Sequence, residues 1–229
     1  MRTDIDAIAF DIDGTLYPNL GFYRYLGAFL LSNARFLQSF GKVRKEIRLW
    51  QEAHPLERHA DFFFWQAELL SRYMHCTPGE ALRAVDDKIY NGWKPLFAKV
   101  HPYPFLFESF TAFRKAGLKI GLLSDFRPEQ KGDVWGLAPL CDAIIGSEET
   151  GALKPSPVPF LALSDALSVP SSRILYVGNS IRSDVRGAAS AGMKTACIIN
   201  PFLHALGCKV READISFSDY RQLTCNVLK

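Results

Sequence analysis

The stretch AIAFDIDGTLYPN, residues 7–19, ends an apolar run with two carboxylates one residue apart, Asp11 and Asp13, followed at once by Gly14 and Thr15. Like charges held so close are tolerated where a cation, a proton or a reaction uses them. Asp-Gly is also a common turn dipeptide, so the reading depends on what else the chain supplies. Three further places supply compatible groups: Ser124 and Asp125 end LKIGLLSD, Lys154 stands in GALKPSP, and GNSIRSD carries Asn179 and Asp184.

Together these residues make a coherent chemistry. Asp carboxylates and an Asn carbonyl are hard oxygen ligands of the sort Mg2+ takes, usually alongside waters and a substrate phosphate. A lysine ammonium and a serine hydroxyl are donors suited to an anion. A carboxylate beside a lysine and a divalent cation is ionised and able to attack phosphorus. A second aspartate is placed to protonate the leaving oxygen and then to take a proton from water.

Elements must bring these groups together. Short apolar runs at AIAFDI (7–12), LKIGLLSD (118–125), CDAIIGS (141–147), RILYVGN (173–179) and KTACIIN (194–200), with a weaker ADISFS (213–218), alternate with helical patterns. Alternation of this kind predicts an α/β fold, a three-layer Rossmann-like core with a mainly parallel sheet. Near-continuous apolar residues fit strands buried on both faces. Ser156 is placed to cap the helix that follows it, and Gly117 to end the one before it. Ligands of such sheets bind at the carboxyl ends of the strands, where all four polar groups fall.

One region breaks the alternation. Between Tyr17 and Phe97 apolar residues recur at helical spacing with no strand pattern, which predicts an inserted α-helical domain. The division is 1–16 and 98–229 for the α/β core and 17–97 for the helical insert. NGWKPLF (91–97) and HPYP (101–104) read as its return hinge. The aromatics Phe62, Phe63, Phe64 and Trp65 read as core between the insert's helices. Tyr17, Asn19, Tyr23 and Arg24 follow the paired aspartates closely enough to face the cleft. Asp125 divides evenly between supporting the site and capping, and Arg182 and Arg186 read as surface groups.

Composition excludes several classes. A chain of 229 residues, 48% hydrophobic and 22% charged, has ample material for a core. A net charge of +3 without a run of like charges gives no nucleic-acid arm. No apolar run reaches membrane-spanning length and the first six residues hold no leader-like segment, so a soluble, cytoplasmic protein is expected. Five cysteines are scattered and never spaced as CxxC, which gives neither a disulfide framework nor a zinc site; Cys141 and Cys197 read as core residues.

The ordered set resembles the haloacid dehalogenase-like (HAD) superfamily of hydrolases. Asp11-Ile12-Asp13-Gly14-Thr15 matches its Asp-x-Asp-Gly-Thr motif, Ser124 its strand-ending Ser or Thr, and Lys154 its downstream lysine. VGNSIRSDVRGAASAGM resembles its acidic motif. The resemblance implies a phosphoric monoester hydrolase with the helical insert as its cap. In it, Asp11 is the nucleophile that forms an aspartyl-phosphate, and Asp13 is the general acid and base. Thr15, Ser124 and Lys154 hold the phosphoryl group, and Lys154 offsets the charge. Mg2+ rests on Asp11, the Asp13 carbonyl, Asn179 and Asp184. One departure stands out: family phosphatases commonly have Asp where Asn179 stands, which implies weaker magnesium affinity and leaves open whether Asn179 or Asp184 touches the metal directly. The expected partner is a small phosphorylated substrate, with no nucleic acid and no membrane, and the protein is expected to be a monomer or homodimer. Asp13 favours this over a 2-haloacid dehalogenase, which needs no proton donor for a departing halide. Phosphomutase activity and a weakly catalytic phosphate-binding or regulatory role stay open beside it.

Overall fold

The computed structural model describes residues 4–229; Met1, Arg2 and Thr3, assigned above to the start of the core and to a leaderless amino terminus, lie outside the described residues. The sheet has six strands: β1 (Ala7–Phe10), β2 (Lys119–Ser124), β3 (Ala143–Gly146), β4 (Ile174–Gly178), β5 (Lys194–Ile198) and β6 (Ile215–Phe217). All pair in parallel, in the order β3-β2-β1-β4-β5-β6. Each lies within its predicted run, the weaker sixth included. β1 and β4 end earlier than their runs, and the residues that follow them, Asp11 to Asp13 and Asn179, lie at the carboxyl ends of the strands.

The helices in chain order are α1 (Asn19–Ala53), α2 (Phe62–Met74), α3 (Pro78–Val85), α4 (Gly92–Phe97), α5 (Leu106–Lys115), α6 (Pro157–Leu167), α7 (Gly187–Ser190), α8 (Pro201–Ala205) and α9 (Tyr220–Leu228). Side chains of a strand alternate between its faces, so the sheet carries two cores. Ile8, Phe10, Leu122 and Val177 pack with Phe110 and Phe113 of α5 and Leu223 of α9. On the other face Ala7, Ala9 and Tyr176 pack with Phe160, Leu163 and Leu167 of α6. The predicted cap of α6 is present, Ser156 accepting from the Val158 N–H at 3.3 Å. Gly117 follows α5 at φ +81°, the left-handed region that suits a helix stop.

Residues 17–97 contain no strand. α1 is two helices joined at Asn33, whose φ −125° and ψ 19° leave the helical region. Asn33 Nδ2 and Ser32 Oγ both donate to the Phe29 carbonyl, each at 3.2 Å, so side chains compete there for a backbone acceptor and bend the helix. The two halves bury different faces. Phe22 and Leu26 of the first half join the sheet-side core with Phe97 of α4. Phe36, Phe40, Val43 and Ile47 of the second half form a separate core with Phe62, Leu70, Val85 and Ile89. Phe62, Phe63 and Trp65 belong to that core as expected, while Phe64 is exposed.

The predicted hinge at 91–97 is helical instead. α3 runs through a π turn, Asp86–Asn91, straight into α4 with Pro95 inside it. The π turn has already taken the hydrogen bonding out of the i→i−4 register, so a proline just beyond it is accommodated. Among the described residues no helix is long and apolar enough to cross a membrane.

Candidate active site

β1 lies at the centre of the sheet, and the strand order reverses beside it: β2 and β3 lie to one side, β4 to β6 to the other. The carboxyl ends of β1 and β4 therefore flank the switch point where doubly wound sheets bind ligands. Asp11 continues β1 by one step, its N–H donating to the Val177 carbonyl at 2.9 Å. The chain then turns sharply, with Gly14 at φ +86°. A Cβ at Gly14 would stand 2.2 Å from Asn179 Nδ2 and 2.5 Å from Asn19 Nδ2, so both the backbone conformation and the close approach require glycine.

Asp11 is buried, with each carboxylate oxygen engaged. Thr15 Oγ1 donates to Oδ2 at 2.7 Å and Lys154 Nζ to Oδ1 at 2.6 Å. Lys154 also reaches Asp184 Oδ1 at 2.8 Å and Tyr176 Oη at 3.3 Å. Asp184 is fixed from its other side, Oδ2 accepting from the Asn179 and Ser180 N–H groups at 3.2 and 2.9 Å. Gly178 makes room for it, because a Cβ there would lie 2.2 Å from Asp184 Cβ.

Two buried carboxylates thus share one ammonium. Burial pushes the Asp11 carboxyl up to about 7; Lys154 opposes this, while the Asp184 and Asp13 charges add to it. Burial alone would lower Lys154, but Asp11 and Asp184 hold it well above the usual lysine range. The lysine stays charged, and the surplus negative charge sits on the carboxylates. A divalent cation would offset that surplus. Among the described residues no group of three or more His, Cys, Asp or Glu could hold a metal ion by itself. The donors available are the Asp11 and Asp184 carboxylates with the oxygens of Asp13 and Asn179, a set that fits magnesium, which keeps waters and substrate oxygens as further ligands.

Asp13 is more open than Asp11 or Asp184, its side chain 28% exposed. Tyr17 Oη donates to Oδ1 at 2.6 Å, and Lys131 Nζ lies 3.2 Å from Oδ2. Ser124 is fully buried at the end of β2, its Oγ 3.5 Å from Asp13 Oδ2. All seven predicted residues, Asp11, Asp13, Thr15, Ser124, Lys154, Asn179 and Asp184, therefore gather at one end of the sheet. Of the flanking candidates, Tyr17 and Asn19 reach the site, and Tyr23 and Arg24 are exposed. Arg182 and Arg186 are exposed partners of Glu52 and Glu212. Cys197 is buried and Cys141 half-buried against the sheet-side core.

Asp125 caps no helix among the described residues. It binds Arg48 of α1 at 2.7 Å, with Arg44 at 3.8 Å. Burial pushes it up, but Arg48, Lys154 and Arg44 outweigh burial and hold it low. These arginines carry α1 onto the loops around the site. Arg44 pairs with the buried Glu148, which also accepts from Tyr90 Oη at 2.6 Å, and Arg48 Nε donates to the Lys154 carbonyl at 3.0 Å. Lys131, Tyr176 and this arginine network were not singled out above. A lysine seven residues after Ser124 has no spacing signal, and Arg44 and Glu148 stand 104 residues apart.

Comparison with known proteins agrees with the geometry. The family model described as haloacid dehalogenase-like hydrolase matches residues 5–192. The glyceraldehyde 3-phosphate phosphatase of Methanopyrus kandleri is 28% identical over 206 residues, 85% of this chain and 84% of its own. The ribulose-1,5-bisphosphate 5-phosphatase of Halopiger xanaduensis is 25% identical, with 82% of each chain covered. Among solved structures, a HAD phosphatase from Thermococcus onnurineus superposes with a TM-score of 0.61 at 22% identity, over 97% of this chain and 98% of that one. The L-2-haloacid dehalogenase from Xanthobacter autotrophicus gives 0.63 at 18%, with 98% of each covered, a likeness of fold. With a family match across most of its length, the chain belongs to the haloacid dehalogenase-like hydrolases.

Proposed function

We propose that the protein is a magnesium-dependent phosphohydrolase of a small phosphorylated metabolite, working through an aspartyl-phosphate on Asp11. The observation that carries this reading is the buried Asp11 with Lys154 on one oxygen and Thr15 on the other, beside a second aspartate that is partly open. Asp11 attacks phosphorus as the bond to the leaving oxygen breaks, and Asp13 gives that oxygen a proton. Asp13 then takes a proton from the water that attacks the phosphoryl group, which frees phosphate and restores Asp11. Thr15, Ser124 and Lys154 hold the phosphoryl oxygens. Magnesium, held by Asp11, Asp184, the Asp13 carbonyl and Asn179, would supply positive charge to the phosphoryl oxygens.

The site residues are shut in: Asp11 is 4% exposed and Ser124 and Thr15 are fully buried. Substrate entry therefore needs parting of the helical segment from the sheet, which supports residues 17–97 as a cap closing over a core of 1–16 and 98–229. The core shared by Phe36, Val43, Leu70 and Val85 supports residues beyond the Asn33 bend as its moving part. Relatives named for glyceraldehyde 3-phosphate and ribulose bisphosphate support short sugar phosphates as the first substrates to try.

The test is phosphate release from 4-nitrophenyl phosphate and glyceraldehyde 3-phosphate, with magnesium and after chelation, beside halide release from 2-chloropropionate. Magnesium-dependent phosphate release is expected. Halide release without phosphate release would overturn the reading in favour of a dehalogenase.

A further inference from the structure

Lys131 has no part in the scheme above, yet its side chain is fully buried beside the reacting groups. It ends a 3-10 turn, Pro128–Lys131, that follows β2. A buried ammonium is costly unless its hydrogens find acceptors. Here they meet Ser124 Oγ at 3.1 Å, Asp13 Oδ2 at 3.2 Å and Gln130 Oε1 at 3.5 Å. The rings of Phe97 and Phe126 flank it, with centroids at 4.8 and 5.8 Å.

The consequence falls on Ser124. A hydroxyl has two lone pairs and one hydrogen. Ser124 Oγ accepts from Lys131 Nζ and from the Phe126 N–H, both at 3.1 Å. With both lone pairs taken, its hydrogen is all that it has left to offer, and the acceptor within reach is Asp13 Oδ2, 3.5 Å away, at the long limit of a hydrogen bond. Asp13 is gripped at the same time, by Tyr17 on Oδ1 and Lys131 on Oδ2.

We propose that Lys131 is a positioning residue of the reaction: it makes Ser124 a donor committed to the phosphoryl group and holds the Asp13 carboxyl toward the leaving oxygen. This rests on the phosphohydrolase reading of the same site. It separates the two lysines by task, Lys154 acting on Asp11 and Lys131 acting through Ser124 and Asp13.

The experiment compares wild type with Lys131→Met and Lys131→Gln, alone and with Ser124→Ala, after thermal melts. The first readout is calorimetric binding of tungstate in magnesium buffer, which needs no turnover. K131M binds on the order of 10-fold more weakly, and in the S124A background the same change has no more than about a twofold effect. The second is kcat along a series of aryl phosphates. K131M loses on the order of 10-fold with 4-nitrophenyl phosphate and on the order of 100-fold with phenyl phosphate, whose leaving group needs the proton more. K131Q, which keeps a donor, falls between, and carries both readouts if K131M does not fold. Unchanged tungstate affinity and an unchanged leaving-group dependence overturn the proposal. So does a loss that persists undiminished in S124A and falls equally on every ester, the mark of a general packing defect. A wild type that binds tungstate but releases no phosphate fails the phosphohydrolase reading and leaves binding to decide Lys131; one that binds no tungstate overturns both.

Discussion

Replacing Arg44 by methionine isolates what docks α1 on the loops around the site. Arg44 pairs with Glu148, whose side chain is 0% exposed. Its other contacts include the Gln66 Oε1 at 3.2 Å, the Asp125 carbonyl at 3.4 Å and carboxylate at 3.8 Å, and the Phe126 ring at 4.6 Å. Methionine retains the contact with Phe126 but leaves Glu148 with only the Tyr90 hydroxyl. Breaking a buried ion pair from one side costs about 3–5 kcal/mol, which for a chain of this size lowers Tm by roughly 6–20 °C. Glu148→Gln costs less, about 1–3 kcal/mol, because Arg44 keeps Gln66 and Asp125. The double variant buries no unpaired charge, so its loss falls short of the sum by about 2 kcal/mol.

The pH dependence of that loss has a definite sign. Burial already raises Glu148 above its ordinary value of 4.5, against the pull of Arg44. A carboxyl raised in the folded state stabilises the fold below its unfolded pKa, and that contribution is lost as pH rises through the folded value. Without Arg44 the folded value rises further, so the R44M deficit shrinks as pH falls from 7 toward 4.5. Urea denaturation of the four proteins at both pH values measures all of this. Losses that add within about 0.5 kcal/mol, or an R44M deficit that does not change with pH, would refute the reasoning.

Three further outcomes follow from the site. In chelator, wild-type stability falls as pH rises from about 4 to about 7, the window between the ordinary aspartate value and the raised Asp11; Asp11→Asn flattens that slope and is the more stable protein at pH 7.5, which urea titration checks. Asn179→Asp adds a charge next to the Asp184 carboxylate and tightens magnesium binding by about tenfold; an unchanged metal titration would show that Asn179 is not a ligand. Gly178→Ala drives a Cβ into Asp184, destabilises by about 1–3 kcal/mol and cuts turnover; a crystal structure of the variant with Asp184 in place would contradict the packing argument.

Much of this molecule is legible in its sequence because strand-end chemistry is local. Asp11, Asp13, Gly14 and Thr15 are fixed by one turn, and apolar runs such as IGLL and ILYV commit the strands that end at Ser124 and Gly178. What was illegible is long-range or competitive. Lys131 meets Asp13 only because a short turn after β2 carries it back over the site. Arg44 and Glu148 are an ordinary helix arginine and loop glutamate until the chain folds. The bend at Asn33 lies inside an unbroken helical pattern, and Gly92 and Pro95 signal a break that the preceding π turn absorbs. The sequence pattern also assigns Phe22 and Phe97 to the insert, though they stack at 4.7 Å within the sheet-side core.

The most direct test of the central claim is steady-state hydrolysis of 4-nitrophenyl phosphate by wild type and Asp11→Asn, each with magnesium and after chelation. Asn keeps the size and shape of the side chain and removes the nucleophilic charge. The account predicts magnesium-dependent release by wild type and no release above background by the variant in either condition. Release by Asp11→Asn within about tenfold of wild type, less than the loss of a nucleophile allows, would contradict it.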